Sequence, residues 1–255
     1  MELNLTNLIA PLLSVGLRVS GLVMFAPLFG SAALLPRIKA LLVIVLTAVL
    51  YPSLGARVSA VEVAQWPLVM VRELAIGIGL GLAANLVFDA LQLAGQVLSI
   101  QMGYSLVSIL DPQTQVESTV MSLFVQMIAM LVFLGLNVHH ALLRAIAASF
   151  EYLPVQTATL SPSFAAAALR TGGMVFALGL QIAAPVVAAT LVADVVIGLM
   201  GKASPQMPLM LLGPAIKSLL GAAVLLGAMR YWPLQLERYF LDSLRQVEHL
   251  LQLAR

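Results

Sequence analysis

The segment LVMVRELAIGIGLGLAANLVFDALQLAGQVLSIQMG, Leu68 to Gly103, decides the architecture. It contains no Pro-Gly or Asn-Gly turn signal, so it reads as one helix rather than a hairpin. At 1.5 Å per residue, roughly 36 residues make a helix of about 54 Å, whereas a bilayer core of about 30 Å needs far less. The helix must kink at a glycine or project beyond the lipid. Its small and polar residues are Gly77, Gly81, Asn85, Asp89, Gln92, Gln96, Ser99 and Gly103. Intervals of three and four at about 100° per residue keep all of them within about a third of the circumference. Two readings of this seam stay open. Gly77-xxx-Gly81 lets a neighbouring helix approach, with Asn and Gln bonding across helices. Alternatively, the seam faces a wet lumen. Asp89 fits either and not lipid, because a carboxylate at mid-membrane costs about 2.5–3.5 kcal/mol even on a lenient insertion scale.

The rest of the chain has the same character. Of 255 residues, 61% are hydrophobic and only 9% charged, and the mean hydropathy is +1.03. No soluble domain of this size needs so much apolar surface, so the fold class is all-α, a polytopic helical membrane-type protein. Thirteen Lys and Arg against eleven Asp and Glu leave a net charge of +2. The basic residues are scattered, which gives no footprint for nucleic acid. With no cysteine there is neither disulfide nor thiolate metal site.

Apolar runs place spans at 8–26, 37–55, 68–103, 119–137, 171–200 and 214–231. No Lys or Arg precedes Arg18, and no small-residue cleavage pattern ends the run Leu8 to Phe25, so the first segment reads as retained. Ser161-Pro162-Ser163 before Ala165 to Arg170 marks the start of a further short helix. The tail from Leu234 sets Leu234, Leu241, Leu244, Val247 and Leu251 on one side and Glu237, Arg238, Arg245 and Glu248 elsewhere. That is an amphipathic helix for a membrane surface or a partner. The chain thus reads as one helical domain over 1–255. Its parts are N-terminal helices and a loop over 1–118, hairpins over 119–232, and the amphipathic helix 233–255. Alternation of the spans gathers Arg57, Arg72, Arg144, Arg170, Arg230, Arg238, Arg245 and Arg255 on one side. The positive-inside rule puts that side, with both termini, in the cytoplasm.

The long helix is followed by MGYSLVSILDPQTQVES, Met102 to Ser118. Asp111-Pro112 starts a turn, since proline presets its own backbone angle and pushes Asp111 out of the helical region. Thr114 to Glu117 has the form of a capping box that opens the fourth helix. The intervening residues form an irregular segment with Leu106, Val107, Ile109 and Leu110. Irregular backbone at membrane depth is tolerated only where protein buries it or where it lines a cavity.

The sequence also echoes itself. Pro27-LFGSAALL-Pro36-RIKALL and Pro205-QMPLMLLG-Pro214-AIKSLL share two prolines at one spacing and the run Ile-Lys-x-Leu-Leu, a pattern of two similar hairpins. No catalytic constellation is present. His139 and His140 point about 100° apart on a helix and read as loop or helix-end residues, and the zinc-protease, serine-elbow and phosphate-loop motifs are missing. The chain reads as no enzyme and takes no cofactor. An ion-coupled small-solute transporter stays open beside a channel subunit, with Asp89 and Asp194 as relay carboxylates. Asp194 pairing with Arg18 of the first span is the structural alternative.

An ordered set of residues resembles the FliR/SctT family of type III secretion export-apparatus proteins, in particular its flagellar branch. The set begins with Arg18, Ser20-Gly21, Pro27-x-Phe29-Gly30, Pro36 and Lys39, then Arg72-Glu73-Leu74 with Gly77 and Gly81. Gly95, Gln101-Met102-Gly103-x-Ser105 and Asp111-Pro112 follow. Asn137-x-His139, Ser149-Phe150, Pro154, Pro205-Gln206, Gly213-Pro214 and Lys217 complete it. Where that family usually has asparagine two places after Pro-Gln, this chain has Pro208.

The resemblance implies a fold of long kinked helices and hairpins, like a fusion of FliP-type and FliQ-type subunits, joined with several copies of each in a helical export gate. It implies a bacterial inner-membrane location in the flagellar basal body, with the core raised toward the periplasm. Unfolded proteins would be the substrates, and FlhB-like and FlhA-like export proteins further partners beside the membrane lipids. It also implies that the loop Gly103 to Gln115 plugs the closed channel through Gly103, Tyr104, Ser105, Leu106, Val107, Ile109, Leu110, Asp111, Pro112 and Gln113. The seam Asn85, Asp89, Gln92, Gln96 and Ser99 would then face the lumen or a neighbour. The hairpin with Pro205, Gln206, Gly213, Pro214 and Lys217 would meet partners on the entrance side.

Overall fold

The computed structural model describes residues 5–31, 34–54, 65–104, 119–155, 162–204 and 209–253. Among these residues the chain is all-α, with eight helices: α1 (Leu5–Phe25), α2 (Pro36–Leu54), α3 (Trp66–Gln101), α4 (Val120–Gly135), α5 (Val138–Tyr152), α6 (Pro162–Ala203), α7 (Leu209–Met229) and α8 (Trp232–Leu253). The segment Leu68 to Gly103 lies, up to Gln101, in one uninterrupted helix of 36 residues that starts at Trp66. Four helices, α2, α3, α6 from Leu169 and α7, are long and apolar enough to cross a membrane, and α4 with α5 would make a fifth as one broken span. The expected first span lies within α1, where the described apolar stretch runs from Pro11 to Phe25.

One further expectation changes. The helix that starts at Pro162 is not short: α6 runs on for 42 residues through Gly172, Gly173 and Pro185. Each glycine costs a helix only about 1 kcal/mol, which the long apolar run after it outweighs. In α8 the buried face is Trp232, Leu236, Phe240 and Leu244, while Leu234 and Leu241 are exposed. The tryptophan and phenylalanine are the larger apolar side chains, and with Leu236 midway between them they set the face that turns inward. Val247 and Leu251 have no described side chain.

The contacts divide the chain into two compact units, residues 1–86, 136–172 and 239–255 in one and 87–135 and 173–238 in the other. In the first unit α1 lies against α3 at glycines. A Cβ on Gly21 would sit 2.6 Å from the Leu74 carbonyl oxygen, and one on Gly81 3.0 Å from the Leu22 carbonyl oxygen, while one on Gly77 would collide with the Arg18 backbone. The glycine end of the seam is therefore a backbone-to-backbone helix crossing. Val15, Val19 and Leu22 of α1, Leu80 of α3, and Leu142 and Ile146 of α5 are fully buried in this unit. α2 packs on α1 and leaves Leu41, Ile44 and Val49 exposed. Lys39 at its start donates to the Gly30 carbonyl at 2.9 Å, closing the α1–α2 turn in which Leu28 has a φ of 71°.

In the second unit the later part of α3 is held by α4 and α6. Phe88 and Phe133 meet edge-on with ring centroids 5.6 Å apart, Gly95 abuts Ser122, and a Cβ on Gly179 would lie 2.9 Å from the Ala90 carbonyl. Thr119 opens α4, its Oγ1 accepting from the Ser122 backbone N–H at 3.2 Å. This is an N-cap at the third helical position. The capping box read at Thr114 to Glu117 lies outside the described residues.

Candidate functional site

The end of α3 is built to stop. Gly103 N–H bonds the Ile100 carbonyl at 3.2 Å and Tyr104 N–H the Ser99 carbonyl at 2.9 Å, with Gly103 at a φ of 82°. This is a Schellman close, which requires the left-handed conformation that glycine adopts without steric cost. Met102, Gly103 and Tyr104 are fastened to α7. Met102 is buried against Gly221, and a Cβ on Gly103 would stand 3.2 Å from the Pro214 Cβ. The Ser218 hydroxyl donates to the Tyr104 phenolic oxygen at 2.8 Å. The chain that follows Tyr104 thus leaves from a fixed point. Ser105, Leu106, Val107, Ile109, Leu110, Asp111, Pro112 and Gln113 lie outside the described residues, as do Pro205 and Gln206.

Gly213, Pro214 and Lys217 lie within α7. Lys217 Nζ donates to the Asp194 carboxylate of α6 at 2.9 Å. The pairing of Asp194 with Arg18 is thereby corrected, since each has another partner within its own unit. The two halves of the internal echo also differ locally: Pro36 begins α2, whereas Pro214 sits inside α7. Yet both echoed lysines bond the segment before their helix, Lys39 at Gly30 and Lys217 at Asp194.

Arg18 is the most enclosed charge described. Its Nε and Nη2 both reach Glu73 Oε2 at 2.7 Å, Nη1 donates to Ser149 Oγ at 2.9 Å, and Nη2 donates to the Leu153 carbonyl at 3.1 Å. The guanidinium carbon also stands 3.8 Å from the Phe150 ring centre. One side chain thereby ties α1 to α3 and to the end of α5, with both ions out of contact with solvent. A buried pair holds when its remaining donors and acceptors are met, and here every guanidinium nitrogen has an acceptor. In the sequence, Glu73 and Ser149 stand out only through the family resemblance, and Ser218 and Gly221 not at all.

The seam changes character along α3. Asn85, Gln92 and Gln96 are half-buried, Asp89 is exposed and Ser99 is buried, its hydroxyl without a hydrogen-bond partner among the described residues. His139 and His140 stand in the first turn of α5, and no group of three or more potential metal ligands occurs among the described residues.

Long apolar helices, exposed apolar faces and charges neutralised inside the fold define a polytopic helical membrane protein. The chain belongs to the bacterial export proteins, family 1, whose pattern matches residues 9–243. It is similar to the flagellar biosynthetic protein FliR of Bacillus subtilis (strain 168), 28% identical over 255 residues and covering 98% of each chain. It is likewise 28% identical over 215 residues to the FliR of Escherichia coli (strain K12), 84% of this chain and 82% of that one. The FliR of Caulobacter vibrioides (strain ATCC 19089 / CIP 103742 / CB 15) is 27% identical over 210 residues, 82% of this chain and 84% of the relative.

Proposed function

We propose that the chain is a core subunit of the flagellar type III protein export gate in the bacterial inner membrane. With FliP-like and FliQ-like subunits it forms a channel for unfolded proteins, and the loop after Gly103 plugs that channel when closed. The observation that carries the reading is the family match over residues 9–243, with relatives named for flagellar biosynthesis. The exposed apolar faces of α2, α6 and α7 support it, because they need lipid or other subunits to cover them. The Schellman close and its fastening to α7 support it as well, since a plug needs a fixed root. Leu106, Val107, Ile109 and Leu110 then exclude water and ions by dewetting the constriction. The hairpin Pro205 to Lys217 serves as the entrance-side contact for FlhB-like and FlhA-like partners, and the core stands toward the periplasm. The chain has no catalytic role in this account. The transporter reading loses one relay carboxylate, because Asp194 is paired with Lys217.

Deleting residues 104 to 112 tests the plug. The assembled complex should form in normal yield and the membrane should become leaky to small ions. A deletion complex that stays ion-tight would overturn the plug assignment.

A further inference from the structure

We propose that the stripe Asp89, Gln92 and Gln96 on α3 is a docking surface for an apolar helix of a neighbouring subunit, which brings a lysine or arginine to Asp89. The inference rests on the gate-subunit reading and goes beyond it, choosing between a lumen wall and a subunit contact.

Within its unit, α3 is covered on two sides and open on the third. Phe88 and Gly95 point to α4, through Phe133 and Ser122. Ala90 and Leu93 point to α6, at Gly179. At about 100° per residue, Phe88 and Ala90 each lie about 100° from Asp89, on opposite sides, so the stripe occupies the gap between the two neighbours. A third helix fits such a gap, since helices pack 8–10 Å apart wherever side chains interdigitate.

The chemistry of the stripe then selects the occupant. Asp89 is exposed, and none of Asp89, Gln92 and Gln96 makes a side-chain hydrogen bond or ion pair among the described residues. The other carboxylates in the apolar stretches of α3 and α6 each meet a cation of this chain, Glu73 with Arg18 and Asp194 with Lys217. Asp89 is the one left for a cation from outside, and lipid tails supply none. The same face carries Ile100, 64% exposed, about three turns along the helix and about 20° round it from Asp89. A wall wetted by a lumen would be polar along its length. Apolar contact flanking one carboxylate and two carboxamides is instead the make-up of a helix interface with a polar centre, where the carboxylate sets partner and register.

The absence of cysteine in the chain makes the test direct. Gln92→Cys provides a single thiol, probed with a charged, membrane-impermeant maleimide on the chain purified alone, in the assembled complex, and in the complex lacking residues 104 to 112. Labelling should fall about tenfold or more on assembly, as at the core of an interface, and stay low without the loop. A photo-crosslinker at Gln92 should capture another subunit, and Asp89→Lys should cut the yield of complex more than Asp89→Asn while both variants alone stay monodisperse. Labelling in the complex as fast as in the isolated chain, or restored by removing the loop, would make the stripe a lumen wall and overturn the inference. If the unmutated chain forms no complex at all, the gate-subunit reading itself fails and takes this inference with it.

Discussion

Replacing Arg18 by methionine should be the most damaging single change in the described residues. The substitution keeps an unbranched apolar stem but removes the guanidinium that meets Glu73, Ser149 and the Leu153 carbonyl. Ser149 loses little, because its hydroxyl still donates to the Ile146 carbonyl at 2.6 Å. Glu73, at 1% side-chain exposure, loses the one cation it meets among the described residues. Leaving one partner of a buried pair uncompensated costs about 3–5 kcal/mol, and the orphaned Leu153 carbonyl falls within that spread because the effects share one network. For a chain of this length about 1 kcal/mol moves the midpoint by 2–4 °C, so thermal unfolding in detergent should drop by about 6–20 °C. The double variant Arg18→Met, Glu73→Met removes both ions and should recover most of the loss, since an apolar replacement of a buried pair is often neutral. Unfolding of Arg18→Met within about 1 kcal/mol of the parent, or a double variant no better than the single one, would refute a structural role for the buried pair.

Three contrasts follow from the same geometry. Gly77→Ala drives a methyl into the Arg18 backbone and should cost about 1–3 kcal/mol or more in detergent unfolding, whereas Gly79→Ala, with nothing within 4 Å, should gain about 0.5–1 kcal/mol. Gly103→Ala should cost about 1–2 kcal/mol for its left-handed φ, and Gly103→Asn less, read by the same unfolding assay. Lys217→Met should change stability in detergent by no more than about 1 kcal/mol, because the Asp194 side chain it meets is 46% exposed. A loss as large as that of Arg18→Met would show that this pair is far better shielded than its exposure implies.

Local signals carried the parts of this fold that local physics controls. The long helix and its end at Gly103 were legible because apolar length and a glycine stop are written in consecutive residues. The crossing at Gly77 and Gly81 was legible because two glycines at a spacing of four leave a groove. The ion pairs were not, since Arg18 and Glu73 are 55 positions apart and charge alone does not say which carboxylate an arginine meets. Polarity alone leaves Arg18 open as a partner of Asp194, whereas the α6–α7 packing gives it Lys217. The tail helix carries more apolar residues than one face can bury, and its inward face of Trp232 and Phe240 leaves Leu234 and Leu241 outward. The fastening of Tyr104 to Ser218 joins residues 114 positions apart and has no sequence signature.

The most direct test of the central claim is the native mass of the detergent-solubilised protein co-expressed with FliP-like and FliQ-like subunits from the same source. The gate-subunit account predicts one defined complex with a single copy of this chain among several copies of the others. A monomer or homodimer that leaves those subunits behind would contradict it and return Asp89 to consideration as a transport residue.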